Sequence, residues 1–174
     1  MTRIITTSII TLIIFGLLIW EHFHGGVPSH HILQQKDLPE ISNWWGAVLI
    51  PILSWILIGR VETRIHKHGL IIQNQKTKII LLFLGGLFLG FVIVFSFTKN
   101  YRSILDNVPY IILFLSFLIP IYYSEFILGF ILAMIYTFGA ILPTIFILTF
   151  ALLGYLIHRF IRPLIVSGKK KIFK

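Results

Sequence analysis

The chain of 174 residues is 57% hydrophobic and only 12% charged, about half the ~25% charge of soluble domains, so lipid is the solvent for most of its length. It has no cysteine, which excludes disulfides, iron–sulfur clusters, thiolate zinc sites and cysteine nucleophiles. Its net charge of +9 comes from short basic clusters beside apolar runs, the pattern of anchoring to anionic head groups and not of nucleic-acid binding.

Residues 4–20 form the first apolar run, about 26 Å long as a helix. Thr6, Thr7, Ser8 and Thr11 within it can bond back to helical carbonyls. No small-x-small cleavage pattern follows Trp20, so the run reads as a retained membrane helix and not as a signal peptide.

Residues 21–43 follow as a loop rich in potential ligands: Glu21, His22, His24, His30, His31, Asp37 and Glu40. Imidazole is the commonest metal ligand, and carboxylate beside it suits a divalent transition metal such as Zn²⁺ or Fe²⁺. Helix persisting one turn past Trp20 would put Glu21 and His24 on one face. Gly25-Gly26 permits a reversal, stiffened by Pro28, that returns His30 or His31 towards His22 and His24. The expected metal set is therefore Glu21, His22, His24, His30 and His31. Asp37 or Glu40 would orient a ligand or act as general base on bound water. No standard metal signature is present. A pH-sensing cluster and an interfacial polar cap are the competing readings. Residues 37–46 read as a turn into the next helix, with Ser42 or Asn43 as its cap.

The second run, 44–59, starts at Trp44-Trp45, contains Pro51 and ends at Arg60, an interfacial boundary at each side. The third, 79–97, carries Gly85, Gly86 and Gly90, a small-residue face open to a neighbouring helix, a second copy or a membrane partner. The stretch 108–158 is too long for two helices. It divides into spans at 108–123, 126–139 and 141–157, the last two joined by a tight turn. A basic tail, 163–174, closes the chain.

Six crossings with both termini cytoplasmic put twelve of the 15 basic residues inside and only Lys36, Lys99 and Arg102 outside, as the positive-inside rule requires. The predicted fold is thus all-α, a polytopic integral membrane protein of six transmembrane helices, with the histidine loop extracytoplasmic. Short loops and the lack of cysteine fit a bacterial inner membrane. None of the six spans has an ionisable residue near its centre, which argues against a coupled transporter. Ser54, Ser116, Tyr136, Thr137, Thr144 and Thr149 remain, either lining a narrow neutral path or bonding between helices. Glu62 pairs with Arg60 or Arg64 on this reading, Glu125 caps the helix after it, and His158 favours a helix C-terminus. His66 and His68 stand among positive charges that disfavour a metal.

Two functions follow. One is a metal-dependent membrane hydrolase or oxidase acting on a lipid-like substrate at the extracytoplasmic face. The other is a non-catalytic module, either a neutral-solute channel gated by histidine or an accessory subunit. Membrane lipids are the expected surroundings in both.

Overall fold

The computed structural model describes residues 2–27, 29–31, 40–67 and 73–161. Among the described residues there are six α-helices: α1 (Thr2–Phe23), α2 (Gly46–Lys67), α3 (Gln73–Thr98), α4 (Arg102–Leu118), α5 (Ser124–Phe138) and α6 (Ile141–Leu156), which continues into a wider π-helical turn at Ile157–Ile161. Four of the helical segments are long and apolar enough to cross a membrane, namely Thr2–Phe23, Asn43–His66, Gln75–Thr98 and Ile141–Ile161. Their outward faces are apolar, with Leu12, Phe88 and Phe91 all well exposed, as expected where lipid and not water surrounds the bundle.

One end of the bundle gathers Arg3, Arg64, Lys78 and His158 and is termed here the basic end. The other carries Glu21, His22 and His24, the histidine end. At the basic end, Glu62 accepts from Thr2 Oγ1 at 2.6 Å and from the Arg3 backbone N–H at 3.0 Å. It therefore tethers the start of α1 to α2, where pairing with Arg60 or Arg64 was expected. Arg3 stacks on Trp55, 3.9 Å from its ring, and donates to the Trp55 carbonyl at 2.9 Å.

Helix α5 is the hub. Nine of its 15 residues are buried, and α3 is its tightest neighbour. The fit depends on glycine. A Cβ at Gly86 would collide with the Phe126 carbonyl, and one at Gly129 with the Phe83 carbonyl. At Gly90 it would lie 2.7 Å from Ala133 Cβ. The small-residue face of α3 is thus filled by α5 of the same chain, which lets the two backbones approach as small residues do in membrane helix pairs.

The fourth span is displaced from its expected bounds. The sequence predicts 108–123, whereas α4 runs Arg102–Leu118. It starts early because Asn100 takes a left-handed φ of 56° that turns the chain straight into the helix, and Asn107 donates to the Ser103 carbonyl at 2.7 Å. It stops early because Ile119, preceding Pro120, is extended (φ −124°, ψ 150°), as residues before proline prefer. At 17 and 15 residues, α4 and α5 rise about 26 and 23 Å, short of a ~30 Å hydrocarbon core.

Four of the six expected interhelical or path-lining hydroxyls bond to carbonyls three or four residues earlier in the same helix or its cap. Ser54 donates to Pro51 O at 3.1 Å, Ser116 to Leu113 O at 2.5 Å, Thr144 to Ala140 O at 2.6 Å and Thr149 to Ile145 O at 2.9 Å.

Candidate functional site

The histidine end is built by the exit of α1. The helix persists past Trp20 to Phe23, so Glu21 and His22 are helical and not in a loop. The Glu21 carbonyl accepts from His24 N at 3.1 Å and from Gly26 N at 3.0 Å, closing the helix. Gly25 and Gly26 then take φ of 119° and 91°, which is the predicted reversal, in a region glycine enters freely. It leads into a short antiparallel pair, β1 (Ser29–His31) with β2 (Glu40–Ser42), where His30 faces Ile41 and His31 faces Glu40. The sequence suggested only a turn there. Ser42 Oγ accepts from Trp44 N at 3.3 Å, the expected cap, over one 3₁₀ turn (Asn43–Trp45) that precedes α2.

Each expected ligand has a separate setting. Glu21 is 7% exposed, and its Oε2 has no hydrogen-bond partner among the described residues. It borders a void of about 10 Å³ with Asn43, Gly46 and Gly139, near the lower limit for holding one water. His24 is exposed, stacks on Trp20 at 4.6 Å between ring centroids, and its Nδ1 lies 2.9 Å from the Trp20 carbonyl. His22 is exposed and meets Phe23 and Trp44 edge-on. Glu40 is exposed and accepts from Ser29 Oγ. Asp37 lies outside the described residues, as do the imidazole rings of His30 and His31 and the tail 163–174. Among the described residues no three His, Asp or Glu side chains come together as a metal-ligating group. Glu21 and His24 are three residues apart, yet one faces the bundle and the other the outside.

Two residues that the ligand search passed over complete the pocket around Glu21. Asn43, 7% exposed, was visible only as a capping candidate. Gly139 ends α5 with φ 71° and ψ −172°, backbone that only glycine adopts readily, and a Cβ there would run into Asn43 Oδ1. The glycine of the α5–α6 turn is what lets the Asn43 carboxamide sit at the centre of this end.

At the basic end Glu125, 3% exposed, receives Arg64 Nη2 at 2.6 Å. The sequence suggested a helix cap for Glu125. It does stand in the first turn of α5, and the arginine from α2 adds a partner 61 residues away that no local pattern could disclose. Arg64 also covers the Tyr123 ring at 4.2 Å.

Compared with protein-family models, with curated proteins and with solved structures, the chain matches none of them.

Proposed function

We propose that this chain is an integral membrane protein of six crossings, with both termini in the cytoplasm of a bacterial cell, whose extracytoplasmic end binds a cation at Glu21. The single observation that carries the cation site is the Glu21 carboxyl group, buried beside a small, mostly apolar void with Oε2 unpartnered and no cationic side chain paired to it among the described residues. An uncompensated carboxylate in an apolar setting costs several kcal/mol, on the order of the charged-group penalties in proteins, and an ionisable group in a membrane segment marks a functional position by default. The six helices among the described residues and the placement of basic residues support the topology.

In its fuller form the cation is Zn²⁺ or Fe²⁺, with ligands drawn from His22, His24, His30 and His31 and support from Asp37 or Glu40. The site then performs hydrolysis or oxidation on a lipid-like substrate. A second reading, a non-catalytic module with histidines as interfacial anchors, is favoured by the stacking of His24 on Trp20 and the edge-on contact of His22 with Trp44.

Elemental analysis of protein purified without an affinity tag or chelator separates them. Near one equivalent of metal, lost in Glu21→Gln and in a variant with all four loop histidines changed to alanine, is the expected outcome. Metal absent from the unaltered protein leaves the anchoring reading.

A further inference from the structure

A cavity of about 650 Å³ lies at the basic end between α3, the α4–α5 connection and the end of α6, within the ~300–1,000 Å³ of small-ligand sites. Its wall changes character with depth. Nearest the end of the bundle it is made by Lys78, Tyr122, Tyr123 and His158. Further in, Leu81 and Gly85, the next two turns of α3, face Phe126. From Lys78 to Gly85 the helix rises about 11 Å, most of the ~15 Å depth of one hydrocarbon leaflet. Glycine keeps the deep part open, since a Cβ at Gly85 would already touch the Phe126 ring at 3.7 Å and close the space between them.

Charge at the mouth is unmatched. Arg64 is held by Glu125, but Lys78, whose ammonium stands 5.6 Å from the Tyr123 ring centroid, makes no ion pair among the described residues. His158 leans on Tyr122 with 5.3 Å between ring centroids, and its Nδ1 lies 3.3 Å from the Gly154 carbonyl. That carbonyl can only accept, so Nδ1 is the donor. Nε2 is left buried and without a partner among the described residues. The cavity therefore offers a cation and a rim of aromatic and imidazole rings above an apolar slot, at the depth where head groups meet acyl chains.

We propose that this cavity holds one acidic phospholipid of the surrounding bilayer. Its phosphate lies against the Lys78 ammonium, beside the rings of Tyr123 and His158, and one acyl chain follows Leu81, Gly85 and Phe126. A zwitterionic lipid would bring its own cation to Lys78, and soluble phosphate would leave the apolar depth unfilled. Basic pockets between membrane helices are the usual settings for acidic head groups. The site lies at the opposite end from Glu21 and does not depend on it.

The test is native mass spectrometry of the delipidated full chain in mild detergent, titrated with phosphatidylglycerol, phosphatidylcholine or inorganic phosphate. Lys78 and Leu81 are both exposed, so Lys78→Gln alters the mouth and Leu81→Trp the apolar wall without entering the core. One phosphatidylglycerol should be retained about tenfold more tightly than phosphatidylcholine, the scale of one charge-assisted contact. Lys78→Gln should erase the preference, and Leu81→Trp should weaken both lipids. Equal retention of the two lipids by the unaltered protein, or an unchanged preference in a monodisperse Lys78→Gln, overturns the proposal. So does displacement of the lipid by inorganic phosphate at matching concentration, which would make the site one for a soluble anion.

Discussion

Glu125 and Glu21 are both acidic, both helical and both almost fully buried, at 3% and 7% exposure, yet they lie at opposite ends of the bundle in opposite circumstances. Glu125 has the Arg64 guanidinium at 2.6 Å, and that arginine is itself packed over Tyr123. Glu21 has an asparagine, two glycines and a water-sized void. The first carboxylate is part of how α2 is fastened to α5. The second fastens nothing that the described residues supply, and a fold retains such a group at a cost. Both carboxyl groups keep an Oε2 without a hydrogen-bond partner among the described residues, so neither burial nor an unused oxygen separates them; the difference is the cation, which Glu125 has in Arg64 and Glu21 lacks among those residues.

The largest expected effect comes from giving Glu125 the circumstances of Glu21. Arg64→Met removes the cation and leaves a buried carboxylate alone, which costs about 3 kcal/mol by the behaviour of broken buried pairs. Denaturation in mixed micelles should show that loss, and Arg64→Met combined with Glu125→Gln should recover most of it. If the single variant is as stable as the parent, the pair is not what joins these helices. The next effect lies at the other end. Gly139→Ala forces a non-glycine residue into φ 71°, ψ −172° and drives its Cβ into Asn43, for about 2 kcal/mol of strain. Gly16, whose added Cβ meets nothing, is the control: Gly16→Ala should be neutral or slightly stabilising by helix propensity.

What could be read from sequence divides along the same line between local and distant relations. Apolar run lengths located α5 and α6 to within two residues at each end, because hydropathy and helix length are local properties. They misplaced α4, because Arg102, Ser103, Asp106 and Asn107 are polar and a search for apolar residues starts too late, although nothing prevents polar residues at an interface from being helical. The reversal at Gly25-Gly26 and the cap at Ser42 were legible for the same local reason. The Arg64–Glu125 pair, the seating of Gly86 on α5 and the single cavity that Lys78 and His158 both line were not. Each joins residues that only the packing brings together. The histidine cluster turns on the rings of His30 and His31, which lie outside the described residues; His22 and His24, on a helix that continues past Trp20, each stand against their own aromatic neighbour.

The smallest effect is the one that most sharpens the comparison. Glu21→Gln keeps the shape of the side chain and removes its charge, so in metal-free protein it should raise stability by about 1 kcal/mol, the gain from relieving an uncompensated buried group. Glu125→Gln should lower it, because there the charge has a partner to lose. The sign difference is measurable in the same micelle denaturation series. Adding metal should then stabilise the unaltered protein and leave Glu21→Gln where it was, since a ligand that binds only the folded state shifts stability by mass action. A Glu21→Gln variant less stable than the parent in the absence of any metal would mean that Oε2 has found a structural partner. The two ends would then differ only in which residue supplies it.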